Sequence, residues 1–203
     1  MPLWFSVLIS LVFLLLYYLY ARADLKEMKY ISFELGLDFH NSNNDSEGFR
    51  LFSKESNWKI SGNYKNSYVK ITNELRSYGR TYKPFTIICM LAAKALPFKI
   101  EIRRKGFVEG FFKKIIHLQD ILIGDEKFDR IFAVTSDNPE EAKKLCLDPN
   151  VQKVIYNLVR ITGFIILQDG IYYEEEGMIT NLDFYKLTLS RMSLAVDTIY
   201  REI

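Results

Sequence analysis

Cysteine and histidine are scarce, with two of each in 203 residues. Cys89 and Cys146 stand far apart, so no disulfide framework is available, and both read as buried, reduced thiols. His40 and His117 have no cysteine or second histidine at ligand spacing, which argues against zinc. No phosphate-binding glycine loop is present. Gly106 and Gly110 fall among basic and aromatic residues without the required pattern. The nucleophile-elbow pattern G-x-S-x-G is missing too. Charge of one sign is not in excess: 27 Lys and Arg face 25 Asp and Glu, for a net +2. That balance excludes a global nucleic-acid signature. No repeat of fixed period and no low-complexity tract occurs. These absences leave no catalytic residue, metal ligand or cofactor to nominate.

What the chain does have is an apolar run at its start. Residues 3–20 read LWFSVLISLVFLLLYYLY, with no charged residue. As a helix, 18 residues rise about 27 Å, close to the hydrocarbon thickness of a bilayer. Ser6 and Ser10 can return their hydroxyls to the helix backbone. Trp4 sits at one end and Tyr17, Tyr18 and Tyr20 at the other, the two interfacial positions that favour amphipathic aromatics. A cleaved signal peptide is the competing reading, and Ala21-Arg22-Ala23 offers an A-x-A pattern. However, no basic residue precedes the run, and bulky tyrosines crowd its end. A buried core helix is rarely this long and apolar on every face. The expectation is a retained single-pass anchor over residues 1–23, contacting the lipid bilayer through residues 3–20. A globular domain follows over 24–203, of ordinary size for one core. Arg22, Lys26 and Lys29 all follow the run, so the positive-inside bias places this domain in the cytoplasm, on the cell membrane.

The domain reads as α+β around an antiparallel sheet. Asp24 to Gly36 continues the anchor helix, with Leu25, Met28, Ile31 (or Ser32) and Leu35 at helical spacing. Asn41 to Gly48 is a polar loop. Trp58 to Tyr64 and Ser67 to Asn73 form a hairpin turning at Lys65-Asn66. Phe85 to Ala93 is an apolar central strand. Phe98 to Arg104 alternates as a half-solvated strand. Phe107 to Leu118 is an amphipathic helix. Phe128 to Ser136 is a strand. Asp137 or Asn138 caps a helix beginning Pro139-Glu140-Glu141. Asn150 to about Arg160 is a further helix. Phe164 to Gln168 and Ile171 to Glu175 pair across Asp169-Gly170. The acidic stretch Tyr172 to Glu176 reads as a solvated edge. A long helix, Leu182 to Ile203, capped by Asn181, closes the chain.

Gln119 to Leu147 reads QDILIGDEKFDRIFAVTSDNPEEAKKLCL. It resembles an uncharacterised family of bacterial membrane-anchored proteins that carry a QDIxIGDxxFDRxFxVxSDxPE-like segment. The resemblance runs from about Leu96 to Leu147, and more loosely over the rest of the domain. It implies a shared fold and assigns no activity. Read physically, Gly124-Asp125 is a turn, Phe128, Ile131 (or Phe132) and Val134 bury one strand face, Asp129-Arg130 form a local pair, and Asp137 caps a helix. Asp120, Asp125, Asp129 and Asp137 lack the regular close spacing of a calcium loop, so the structural reading is preferred to a cation or acid/base cluster.

One segment has the composition of a contact surface. Arg103, Arg104, Lys105, Lys113 and Lys114 are interleaved with Phe107, Phe111 and Phe112. Such a helix either covers the core with a solvated basic face or lies on the anionic cytoplasmic leaflet. Arg103, Arg104, Lys105, Phe111, Phe112, Lys113 and Lys114 are therefore the candidate membrane or partner contacts. The sequence thus points to a non-enzymatic, membrane-tethered interaction domain that binds anionic lipid or a membrane protein partner. The alternative is a membrane-associated enzyme or ligand-binding domain whose site is assembled from scattered residues.

Overall fold

An unbroken helix, α1 (Leu3–Leu35, 33 residues), carries the apolar run into the domain. The computed structural model describes residues 3–41, 55–79, 81–106, 120–158 and 163–201. Within these it leaves out the side chains of 3, 6–7, 13–22, 55–57 and 78. The polar loop expected at 41–48 and the amphipathic helix at 107–118 lie almost wholly outside the described residues.

Helix α1 ends where glycine permits. Gly36 takes φ +66, a left-handed conformation in which a Cβ is disfavoured. Its N–H reaches the Phe33 carbonyl at 3.1 Å, and the Leu37 N–H reaches the Ser32 carbonyl at 2.9 Å. That pair of bonds is a Schellman closure, with buried Leu37 and Ile31 supplying its apolar partners. The chain therefore turns back into β1 (Asp38–Asn41), which packs against α1. Met28, Ile31 and Ser32 are buried, and Leu25 and Leu35 are half-buried, as the helical spacing predicts.

Eight more strands complete the sheet: β2 (Glu55–Tyr64), β3 (Ser67–Tyr78), β4 (Thr81–Leu91), β5 (Ile100–Arg104), β6 (Asp120–Ile121), β7 (Phe132–Ser136), β8 (Phe164–Leu167) and β9 (Gly170–Glu176). Their order is β1-β2-β3-β4-β9-β8-β5-β7-β6. Each neighbouring pair is antiparallel. The remaining helices are α2 (Glu126–Ile131), α3 (Pro139–Leu147), α4 (Pro149–Leu158) and α5 (Leu182–Ile199). The described residues form an α+β domain with helices packed on a sheet. All five described helices send buried residues into one cluster on one face of the sheet: Met28 and Ile31, Phe128, Cys146, Ile155 and Leu189 among them. The strands meet this layer through Val69, Ile71, Ile88, Met90, Ile102, Ile166, Ile171 and Tyr173. Burying each such aliphatic side chain contributes about 1.5–3 kcal/mol.

Alternation puts Phe85, Ile87, Ala133, Ile165 and Leu167 on the opposite face. They too are buried, yet they stand outside that cluster.

Several expectations shift. Phe128 to Ser136 is not one strand: its first four residues belong to the short helix α2. Asp125 caps that helix by accepting from the Phe128 N–H at 2.9 Å, and this local bond overrides the strand pattern. The β8–β9 turn is Gln168-Asp169, one residue earlier than expected, because Leu167 pairs with Gly170. Gly170 is needed for a different reason than the turn: a Cβ there would lie 2.3 Å from the Met90 carbonyl oxygen. The acidic stretch Tyr172 to Glu176 is not a solvated edge. It belongs to β9, the fifth of nine strands, with Tyr173 and Glu174 buried. Glu101, expected on a solvated face of β5, is buried as well. Helix α5 ends at Ile199 instead of Ile203.

Candidate functional site

In the 119–147 segment, Asp125, Asp129 and Asp137 bind backbone. Asp129 accepts from the Ile123 and Gly124 N–H groups, each at 2.9 Å. Its carboxylate thus fixes the turn before α2, in place of the expected pairing with Arg130. Asp137 accepts from the Lys99 N–H at 2.8 Å. The cap of α3 is Asn138, whose side chain accepts from Glu141 N–H. Hydrogen bonds from the Phe128 N–H and from Gln152 hold the Asp125 carboxyl below its ordinary pKa. Among the described residues, no group of His, Cys, Asp and Glu could hold a metal ion.

The basic segment divides. Arg103 turns onto the sheet face opposite the helices, where its Nε meets Glu101 at 3.0 Å. Arg104 and Lys105 are exposed. The Lys105 N–H reaches the Ile131 carbonyl at 2.8 Å, and its ammonium donates to the Asp129 carbonyl. Phe111, Phe112, Lys113 and Lys114 lie outside the described residues.

The face opposite the helices carries the charge pairs that sequence reasoning missed. Arg76 on β3 reaches across β4 to Glu174 on β9, and its other amino group lies 3.7 Å from Glu74. The guanidinium stacks 4.6 Å from the centroid of the Phe85 ring. Glu174 is only 5% exposed, and its Oε2 has no hydrogen-bond partner. Beside it, Lys83 pairs with Glu176 at 2.8 Å. Two strands further on, burial raises the Glu101 carboxyl above its ordinary pKa, and Arg103 opposes that rise. Tyr172 donates to Asp169 at 3.0 Å, and desolvation followed by this bond raises its pKa. Burial pushes the Cys89 thiol up to about 11 and Cys146 to about 12. Neither thiol is a nucleophile at neutral pH. The face is a row of matched ion pairs set among apolar side chains. Glu174, Glu176 and Glu101 meet Arg76, Lys83 and Arg103 respectively, and Glu174 Oε2 is left as a buried acceptor without a partner. Period-two alternation placed these residues on one face. Only the order β3-β4-β9 could bring Arg76 to Glu174, 98 positions away.

The described apolar side chains of the run are open to solvent. Trp4, Phe5, Leu8, Ile9, Leu11 and Val12 are all exposed, Trp4 at 67%. Among the described residues, no helix is long and apolar enough to cross a membrane. Most side chains of residues 3–20 lie outside them.

No protein-family model matches the chain, and no curated protein matches it. Among solved structures, the crystal structure of the mycobacterial trehalose monomycolate transport factor A, TtfA, is similar. Its TM-score is 0.55 at 15% sequence identity, over 87% of this chain and 94% of that one. At that identity the likeness shows a shared fold.

Proposed function

We propose that the chain is a single-pass membrane-anchored interaction module, non-enzymatic, whose α+β domain works against the membrane surface or a membrane protein. One observation carries the reading. Helix α1 is continuous, and its two halves behave oppositely. Among the described side chains, six apolar ones between Trp4 and Val12 are exposed and outside the core, while Met28 and Ile31 further along are buried in it. Bulky apolar groups left exposed on a helix need a non-aqueous partner, and a bilayer fits residues 3–20 by length and composition. Lys26 and Lys29 are exposed just beyond the run, which supports a cytoplasmic domain. TtfA, whose title names a transport factor, shares this fold, and a transport-related role is compatible with the reading. The likeness to the bacterial membrane-anchored family points the same way.

The test is fractionation of the full-length chain. It should remain with membranes after carbonate washing, and the domain should resist protease added outside intact cells. Extraction by carbonate refutes the anchor. Digestion from outside reverses the sidedness. A second reading, a ligand-binding domain, is favoured by the unpartnered Oε2 of buried Glu174. It predicts that Glu174→Gln abolishes binding of an amine- or hydroxyl-bearing ligand without unfolding the chain.

A further inference from the structure

We infer, resting on the anchor reading above, that the outward face of α1 beyond the apolar run is a self-association surface. It pairs in parallel with the same face of a second copy of the chain, held in the same membrane.

Helical phase sets the face. Ala23, Lys26, Tyr30 and Phe33 follow one another at spacings of three, four and three residues, and all four are exposed. Tyr30 and Phe33 each stand two residues after a buried one, Met28 and Ile31, about 200° around the helix. The stripe therefore points away from the domain core. Phe33, at 80%, is the most exposed large apolar side chain described, and Tyr30 is 57% exposed. Lipid does not cover them. Phe33 lies thirteen residues past Tyr20, where the apolar run stops, which is about 20 Å of helix. Even at a tilt of about 40° it stands about 15 Å beyond the hydrocarbon. The headgroup zone is only about 5–8 Å deep on each side. A protein surface has to meet this stripe.

Spacing and charge fit a second copy. Alternating steps of three and four mark the a and d positions of a heptad, the seam of a two-stranded coiled coil. Ala23 and Tyr30 are then a, and Lys26 and Phe33 are d. Lys26 is a polar seam residue, of the kind that fixes register at some cost in stability. Whole heptads back from Lys26, Tyr30 and Phe33 stand Val12, Ile9 and Phe5, all exposed, so the seam runs on into the anchor. Holding one seam over that length requires a left-handed supercoil, because a straight helix drifts about 20° per heptad. The pairing is parallel, since both copies enter the bilayer the same way round. In a parallel pair each g position faces the e position five residues further on in the other helix. Lys29 is g and Glu34 is e, so Lys29 of each copy meets Glu34 of the other. Lys29 is exposed, and Glu34 is 33% exposed with Lys186 3.8 Å away, so both can reach across. Three helical turns pair weakly in water on their own. Confinement to one bilayer supplies the high effective concentration that they need.

The experiment uses the full chain in vesicles of phosphatidylcholine with phosphatidylglycerol. A cysteine is placed in the seam, Phe33→Cys, or away from it in the β2–β3 turn, Asn66→Cys, and mild oxidation traps chains that touch. Background from Cys89 and Cys146 is measured on the wild type. Disulfide-linked dimer should form at 33 and stay at background at 66. Added to Phe33→Cys, Lys29→Glu should cut the dimer about fivefold, because two exposed ion pairs become repulsions. Glu34→Lys should do the same. Mixing these two charge variants, one carrying a size tag, should restore the dimer as the mixed species, since each offers the charge that the other lacks. Equal trapping at 33 and 66 overturns the seam, and so does a mixture that pairs no better than either variant alone. A carbonate wash of the same vesicles separates the two readings. A chain that stays with the lipid but fails to pair leaves the anchor standing and this inference wrong. A chain that washes off fails the anchor reading, and this inference falls with it.

Discussion

Gly170 opens β9 where β4 runs closest, and one added methyl group tests how tightly the middle of the sheet is registered. In Gly170→Ala the new Cβ would meet the Met90 carbonyl oxygen at 2.3 Å and the Leu91 Cα at 3.0 Å. Both are backbone atoms, so no side-chain rotation relieves the clash. Strands β4 and β9 must separate locally, and overpacking of this kind costs about 1–3 kcal/mol. The shift also disturbs the Tyr200 hydroxyl, which donates to the Gly170 carbonyl at 2.8 Å in a buried site. Weakening that bond adds about 1 kcal/mol. The expected loss is about 3 kcal/mol, or a fall in Tm of about 6–12 °C for a domain of this size. Gly36→Ala is the comparison. Gly36 has φ +66, and a methyl group added there would meet nothing within 4 Å, so only the left-handed backbone penalty of about 1 kcal/mol applies. Thermal melts of the detergent-solubilised full chain, followed by far-ultraviolet circular dichroism, compare the two. If Gly170→Ala melts at or above Gly36→Ala, the close approach of β4 and β9 is wrong.

Three further outcomes are expected. Arg76→Met should destabilise the chain by about 3 kcal/mol, because it leaves the Glu174 carboxylate buried without its cation, and adding Glu174→Leu should recover much of the loss. Denaturant melts of the double-mutant cycle check this, and additive losses would refute a coupled pair. Asp125→Ala removes the cap of α2 and should cost about 1 kcal/mol. Asp129→Ala should cost more, since it strands two backbone N–H groups, and equal losses would contradict the hydrogen-bond assignments. Glu101 sets a pH dependence. Its folded pKa is raised above its ordinary 4.5, so the folded state binds its proton more tightly than the unfolded state does. Below 4.5 the group is protonated in both states and has little effect. As pH climbs through the window above 4.5, the wild type loses stability relative to Glu101→Gln. Paired urea titrations at pH 4 and pH 7 measure that difference, and a gap that shrinks with rising pH would refute it.

Much of the fold was legible because local rules decide it. Apolar spacing from Leu25 to Leu35 and the glycine after it set the end of α1, and Asn138 with Pro139 set the start of α3. Lys65-Asn66 placed the β2–β3 turn, and Asn181 placed the start of α5. Each is a statement about neighbours within four residues, where one hydrogen bond or one φ angle settles the outcome. The segment 126–131 shows the limit of strand patterning. Its apolar spacing suits a strand, but the Asp125 and Asp129 carboxylates bind backbone N–H groups and close a helical turn first.

Strand order was not legible. A run such as Tyr172 to Glu176 alternates in the same way at an edge as in the centre, so its acidic residues suggested solvent. The tertiary fold inserts β9 between β4 and β8 and buries Glu174 against Arg76. Pairing across 98 positions depends on which edges remain free once the local hairpins have formed, and a single sequence carries no record of that choice. The apolar run at 3–20 is the opposite case. Its length and lack of charge are read from the sequence alone, before any fold is known. What only the tertiary structure adds is that the helix carrying this run continues unbroken into a stretch that buries Met28 and Ile31 in the domain core.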